Sequence, residues 1–426
     1  MQHKPTTVSV IGLGYIGLPT AAMFASRKIN VIGVDVNQRA VDIINDGKIH
    51  IVEPELESLV DAAVTEGHLR ATTAPQPADA FLIAVPTPFK DDHAPDLSYV
   101  RAAAESIASV LKRGDIVILE STSPVGSTEM MTQWLAAARP DLRFPSPDSD
   151  GSQIDVHVAY CPERVLPGRV VIELVDNDRI IGGITEQCAR RAADIYRVFV
   201  QGELLFTNAR TAEMAKLTEN AFRDVNIAFA NELSLISDKL GIDVRELIGL
   251  ANHHPRVNIL QPGCGVGGHC IAVDPWFIVD KTPEEARLIR TARLVNDSKP
   301  AWVVDKIAAA VEASRTQDAR AGSVKVAVLG LAFKPDIDDL RESPALHIAA
   351  DVARMSGVQM LVVEPNVDSL PAGLSGHALV TLDQALAEAD VVAVLVKHRQ
   401  FVEASARIVT HPRMVDAVGV GASRHA

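Results

Sequence analysis

Short apolar runs alternate with amphipathic stretches along the first 120 residues of the chain. Thr7–Ile11, Asn30–Val34, residues 80–85 and Ile116–Leu119 each end at turn formers, and helical spacing fills the gaps between them. This alternation predicts an α/β fold built on a doubly wound parallel sheet. The texture changes at Thr211. From there to Leu240 apolar residues keep helical spacing without a proline or glycine, which predicts a helix of ~29 residues and ~43 Å. Such a helix suits a domain junction or a dimer seam, so a central helical domain is expected. A third region begins near Gly322. Residues 324–329, 361–363 and 391–396 are again short apolar runs, and the first enters the turn Gly-Leu-Ala-Phe-Lys-Pro. They predict a second, smaller α/β nucleotide-binding fold. The expected division is 1–208, 209–315 and 316–426, with the polar stretch 145–152 as an insertion in the first domain.

Composition narrows the function classes. A chain of 426 residues exceeds one ordinary core. The formal charge of −13 argues against a nucleic-acid partner, which calls for a basic face. Cys161, Cys188, Cys264 and Cys270 show neither Cys-x-x-Cys nor zinc-type spacing, so neither a metal site nor a disulfide framework is expected. The first apolar run stops at a glycine loop, unlike a signal peptide, and no window approaches ~18 consecutive apolar residues. A cytoplasmic protein with no membrane span is the expectation.

Two glycine-rich segments carry the chemistry. Gly12-Leu-Gly14-Tyr15-Ile16-Gly17 follows one strand and opens a helix, and Asp35 closes the next strand 18 residues after Gly17. Spacing and context together form a dinucleotide fingerprint. The glycines admit a pyrophosphate, and the amides around Tyr15 and Ile16 face its charge. Asp35 suits a ribose 2′-hydroxyl and repels a 2′-phosphate, so NAD is favoured over NADP. Thr87, Thr122 and Thr128 lie in turns after predicted strands, where their hydroxyls can meet a nicotinamide ribose or a water, or simply stabilise the turns.

The second segment, Gly263-Cys264-Gly-Val-Gly267-Gly-His269-Cys270-Ile-Ala-Val-Asp274-Pro, sets a thiol at the end of a flexible loop with a carboxylate four residues on. A thiolate so placed can attack a carbonyl. Cys264 has no such neighbour in sequence and reads as a bystander. On the long helix Lys216, Asn220 and Arg223 share one face, suited to an oxyanion and a phosphate or equally to a solvated stripe. His254 and Arg256 stand just upstream of the cysteine loop. Phe333, Lys334 and Arg341 follow the first strand of the last domain.

Taken together, these stretches resemble the UDP-glucose/GDP-mannose dehydrogenases from end to end. The likeness runs through Val-Ile-Gly-Leu-Gly-Tyr-Ile-Gly-Leu-Pro-Thr, Glu-Ser-Thr-Ser-Pro-Val-Gly-Ser-Thr, Tyr-Cys-Pro-Glu-Arg-Val-Leu-Pro-Gly, Glu-Met-Ala-Lys-Leu-Thr-Glu-Asn, Gly-Val-Gly-Gly-His-Cys-Ile-Ala-Val-Asp-Pro-Trp and Leu-Ala-Phe-Lys-Pro-Asp-Ile-Asp-Asp-Leu-Arg-Glu-Ser-Pro. The resemblance implies an N-terminal NAD-binding domain, a helical dimerisation domain and a C-terminal UDP-sugar domain. It implies oxidation of a sugar C6 hydroxyl to a carboxylate with two NAD, through a thiohemiacetal and a thioester on Cys270. Lys216 and Asn220 would hold the oxyanions, and Glu163, Asp274 and Thr122 the hydrolytic water. Arg164, Val165, Arg223, His254, Arg256, Gly267, Phe333 and Lys334 would line the substrate site with Lys216 and Asn220, while Arg341 would reach the cofactor. The form Gly-Gly-His-Cys-Ile-Ala-Val-Asp-Pro points to an N-acetylated hexosamine, UDP-N-acetyl-D-mannosamine first. UDP-N-acetylglucosamine, UDP-glucose and GDP-mannose are alternative substrates; a two-electron hydroxyacid dehydrogenase and a non-catalytic sensor are alternative functions. In place of Cys264 the resemblance leads one to expect proline, leaving a possible oxidisable thiol beside Cys270.

Overall fold

The computed structural model describes residues 6–421 apart from 52, 91–92, 149–152, 167, 269 and 319–322. The chain forms two compact units, Met1–Glu219 and Asn220–Ala426. The division falls inside one helix, Ala209–Leu240, which begins two residues before the predicted start.

The first unit holds eight strands: β1 Thr7–Ile11, β2 Asn30–Val34, β3 Leu69–Thr72, β4 Ala80–Ile83, β5 Ile116–Leu119, β6 His157–Tyr160, β7 Arg179–Gly183 and β8 Leu204–Asn208. Their order is β3-β2-β1-β4-β5-β6-β7-β8. All neighbours run parallel except β6 and β7, which pair antiparallel at Ala159 with Gly183 and Tyr160 with Gly182. The expected all-parallel sheet is therefore mixed. The strand order reverses between β1 and β4, which opens a crevice at their carboxyl ends.

Both faces of this sheet are covered, which is why its strands read as unbroken apolar runs. Val8, Val10 and Leu82 meet Ala22 and Phe24 of the helix Gly17–Ser26 and Ala192 and Tyr196 of the helix Glu186–Tyr196. Ile11, Ile83 and Leu119 point the other way, against Val100 and Ile107 of Ser98–Ala108 and Met131 and Leu135 of Ser127–Ala138. Each such side chain contributes ~1.5–3 kcal/mol by leaving water.

The second unit carries β9 Val324–Leu329, β10 Val358–Val363, β11 Ala378–Leu379, β12 Val391–Val394 and β13 Met414–Asp416. All are parallel in the order β11-β10-β9-β12-β13. Val326 and Val328 face one layer while Ala327 and Leu329 face the other, the two-residue period of a strand. The layer over Val326 includes Val303, Ile307 and Val311, four residues apart on a second 32-residue helix, Arg287–Asp318. The helix Arg287–Asp318 thus shares the core of the C-terminal sheet within the second unit.

Candidate active site

In the first unit the glycine turn is built as its spacing requires. Gly12 takes φ +91°, and a Cβ there would stand 2.6 Å from the Ala84 carbonyl oxygen. A Cβ on Gly17 would collide with the Gly12 oxygen, whereas one on Gly14 would stand in open space. Gly12 and Gly17 therefore make the turn, and Gly14 leaves room for a ligand. Asp35 accepts the Leu13 amide at 2.9 Å on one oxygen and the Asn37 amide at 2.9 Å on the other. Its half-buried carboxylate lies at the end of β2, where a ribose-binding acid belongs. Tyr15 is exposed and Ile16 half-buried just before the helix. These residues fit NAD.

At the carboxyl ends of β4 and β5, Thr87 Oγ1 donates to the Thr122 carbonyl at 2.5 Å, which joins the two turns. Thr128 is fully buried, and its hydroxyl donates to Glu213 Oε1 at 2.6 Å. Glu213 also accepts the amides of Gly126 at 2.6 Å and Thr128 at 2.8 Å, so it caps the helix Ser127–Ala138. The Thr128 hydroxyl therefore anchors this helix.

Glu163 follows β6, is buried, and is ion-paired with Arg179 at the start of β7. Arg179 also approaches Glu120 at 3.4 Å and lies over the Tyr196 ring at 4.0 Å. Tyr196 donates to Glu120 at 2.6 Å. Burial pushes the Glu120 carboxyl above its usual range against the pull of Arg179. Arg164 makes an ion pair with Glu219 at 2.7 Å, and Val165 beside it is half-buried. Buried Glu53 accepts the amides of Gly168 and Val170 at 2.8 and 2.7 Å, which fixes the far end of the same loop. Lys216 is half-buried on the long helix.

In the second unit Cys270 is exposed, and His269 lies outside the described residues. The Cys270 carbonyl accepts the Asp274 amide at 2.9 Å, so the thiol sits at the turn that opens the helix Asp274–Lys281. Asp274 is 3% exposed and accepts a hydrogen bond from the Asn220 side-chain amide of the long helix. The loop glycines are packed tightly: a Cβ on Gly267 would lie 2.4 Å from the Glu342 oxygen and 3.0 Å from Phe333 Cβ, and one on Gly268 3.0 Å from the Phe333 ring. Gly267 and Phe333 are therefore neighbours. Lys334 and Arg223 are exposed. Arg341 grips Asp339 with two hydrogen bonds of 2.9 and 2.7 Å. Asn252 brackets the loop carrying exposed His254 and Arg256 by accepting from and donating to Ile259 at 2.7 and 3.0 Å.

Cys264 is buried in the C-terminal core, and its thiol donates to the Leu395 carbonyl at 3.2 Å. Burial pushes that thiol up to about 12. It ties the cysteine loop to the end of β12 and is no oxidisable neighbour of Cys270. Among the described residues no cluster of three or more His, Cys, Asp or Glu side chains is placed to hold a metal, and no helix is long and apolar enough to cross a membrane.

Family models of the UDP-glucose/GDP-mannose dehydrogenases match residues 6–200 as the NAD binding domain, 210–298 as the central domain and 327–421 as the UDP binding domain. The chain belongs to this family. It is 64% identical over 416 residues to the UDP-N-acetyl-D-mannosamine dehydrogenase of Escherichia coli (strain K12), covering 97% of this chain and 99% of the relative. It is 62% identical over 395 residues to an NDP-N-acetyl-D-galactosaminuronic acid dehydrogenase of Ralstonia nicotianae, covering 93% and 91%. Among solved structures, a UDP-D-ManNAc dehydrogenase from Pyrococcus horikoshii superposes with a TM-score of 0.84 at 38% identity, over 97% of this chain and 96% of that one. As a UDP-glucose/GDP-mannose dehydrogenase family member, the chain is an NAD-dependent nucleotide-sugar dehydrogenase.

Sequence reasoning missed Arg179, Glu120, Tyr196, Glu213 and Glu53. Apart from the pair of Arg179 with Glu163, their partners lie 59 to 117 residues away, so no local spacing announces them.

Proposed function

We propose that the chain oxidises the C6 hydroxyl of UDP-N-acetyl-D-mannosamine to the carboxylate in two two-electron steps. The observation that carries this reading is the hydrogen bond from Asn220 to Asp274, one turn beyond exposed Cys270. It unites a nucleophile, a carboxylate and an amide donor in one unit of the structure. The near-full-length likeness to UDP-N-acetyl-D-mannosamine dehydrogenases supports the substrate.

NAD, when bound, supplies the two-electron acceptor for each oxidation, and Gly12, Gly14, Gly17 and Asp35 would hold it. Lys216 takes the proton of the C6 hydroxyl as the aldehyde forms. The Cys270 thiolate then adds to C6, and the new S–C bond places an oxyanion that Lys216 and Asn220 hold. The second oxidation leaves a thioester. Water adds to it, a step for which the family resemblance assigns Thr122, Glu163 and Asp274; the S–C bond breaks, and Cys270 departs as thiolate. Arg164, Arg223, His254, Arg256 and Lys334 would hold the nucleotide and sugar, with Val165, Gly267 and Phe333 as walls; Thr87 and Arg341 would support the cofactor.

The test counts NADH against sugar acid with each nucleotide sugar. Two NADH per acid are expected, with the highest kcat/KM on UDP-N-acetyl-D-mannosamine. One NADH per product means a hydroxyacid-type oxidation and ends the thioester reading. A preference for the gluco or galacto epimer ends the substrate choice; the Ralstonia nicotianae relative makes the latter the sharper comparison.

The same reading includes a homodimer. Phe222, Phe229 and Ile236 repeat every seven residues on the long helix and are 68%, 51% and 48% exposed, the stripe of a helix seam. Sedimentation should return twice the 45.7 kDa chain mass, and Phe229→Asp should halve it. A wild-type protein that sediments as a single chain rules the dimer out.

A further inference from the structure

The two sheets open with the same turn and end it differently. Gly12 after β1 and Gly330 after β9 take φ +91° and +94°. Each donates its amide at 2.8 Å to the last residue of the adjoining strand, Val34 or Val363. The following amide goes to the acid that closes that strand: Leu13 to Asp35 at 2.9 Å, Leu331 to Glu364 at 2.7 Å. Asp35 remains half-buried. Glu364 is 3% exposed and takes five donors. Oε2 receives Leu331, Ala332 and His398 Nε2, and Oε1 receives the Asn366 amide and side chain. A carboxylate so saturated has no lone pair left for a ribose diol.

His398 is fully buried in the segment after β12. Its Nδ1 receives the Asp336 amide at 2.9 Å and Asn366 Nδ2 at 3.1 Å, and its Nε2 faces Glu364 at 3.0 Å. Two donors on Nδ1 and an acceptor at Nε2 define the neutral ring with its proton on Nε2. Asp336 has φ +61° and stands two residues after Lys334; its carboxylate accepts the Arg399 amide at 2.8 Å. The turn that carries Phe333 and Lys334 is thereby tied to β10 and to the segment after β12.

We propose that His398 is a positioning residue for the nucleotide sugar. It occupies the acid that a dinucleotide's ribose would need, and through the Asp336 amide it fixes the turn presenting Phe333 and Lys334. This rests on the reading that those two residues meet the nucleotide.

The test is calorimetric binding of UDP to the full-length protein, together with steady-state kinetics. Glutamine at 398 keeps a donor toward Glu364 and removes the acceptor under Asp336; asparagine keeps the acceptor. His398→Gln should weaken UDP binding by about tenfold, a 1.4 kcal/mol change, and raise KM for the nucleotide sugar equally. kcat and the KM for NAD should stay within about twofold, and His398→Asn should recover most of the loss. Equal losses in both variants, or a fall in kcat at unchanged UDP affinity, overturn the proposal. Lys334→Ala separates the two levels. Unchanged UDP binding there removes the reading and this inference with it, whereas weakened binding beside a normal His398→Gln removes this inference alone. Should His398→Gln fail to fold, Asn366→Ala at a half-buried position reads the same clamp. It should cost about threefold in UDP affinity, and no change overturns the proposal.

Discussion

Cys270→Ser should lower net formation of the sugar acid by ~10³-fold or more, which is ~4 kcal/mol of transition-state stabilisation. A serine hydroxyl is a far weaker nucleophile near neutral pH than a thiol that is partly thiolate. An oxoester on serine would also resist the water that cleaves a thioester. Substrate binding should change little, because Cys270 is exposed and the loop is held by Cys264, Gly267 and Gly268. Ion-exchange analysis of the acid, beside UDP-sugar affinity, checks both statements. Acid formed within about tenfold of the normal rate would remove Cys270 from the mechanism.

Arg293→Ala should cost about 3–5 kcal/mol of stability, the usual consequence of leaving a buried charge alone. Asp224 on the long helix is fully buried, and Arg293 on the helix Arg287–Asp318 meets it at 2.6 Å. Asn296 donates to Asp224 at 2.8 Å, and Asn231 donates to Asn296 at 2.8 Å. Asn231 in turn accepts the Gly263 amide at 2.9 Å, so this network ends at the root of the cysteine loop. Burial already pushes the Asp224 carboxyl upward against Arg293. Without the arginine its folded pKa rises further above the unfolded one. The folded form then holds a proton that the unfolded form releases, so the deficit grows as pH rises through that window and shrinks in acid. Urea unfolding at two pH values measures this. A double replacement of Asp224 and Arg293 by leucine should lose less than Arg293→Ala alone, because no charge is stranded; the opposite order would refute the account.

The parts of the molecule written locally in the chain were legible. The glycine turn with Asp35 and the helix from Thr211 announce themselves through spacing over a few turns of backbone. The helix Arg287–Asp318 did not, because Pro300 lies inside it and Lys299, 1% exposed, occupies a core position. Lysine there is accommodated by Ser234 at 2.6 Å and the Trp302 ring at 3.6 Å, with burial bringing its pKa down to about 8. The anchoring of Thr128 was not legible either, because its buried partner Glu213 is 85 residues away. The antiparallel β7 was equally silent, since strand direction is a property of the connection rather than of Arg179–Gly183 itself. His398 had no motif at all, and its meaning appears only when β9, β10 and β12 lie side by side.

Cys161, Cys188 and Cys264 are buried while Cys270 is exposed, and this sorting shapes how the protein ages under oxidants. Peroxide attacks a reachable thiolate, and the resulting sulfenic acid is rescued quickly when a second thiol stands ready to condense with it. Here the cysteine closest in sequence is turned into the core toward Leu395. Damage at Cys270 must therefore be repaired by thiols that arrive from solution, and during a long oxidant pulse the same residue is open to the irreversible sulfinic state.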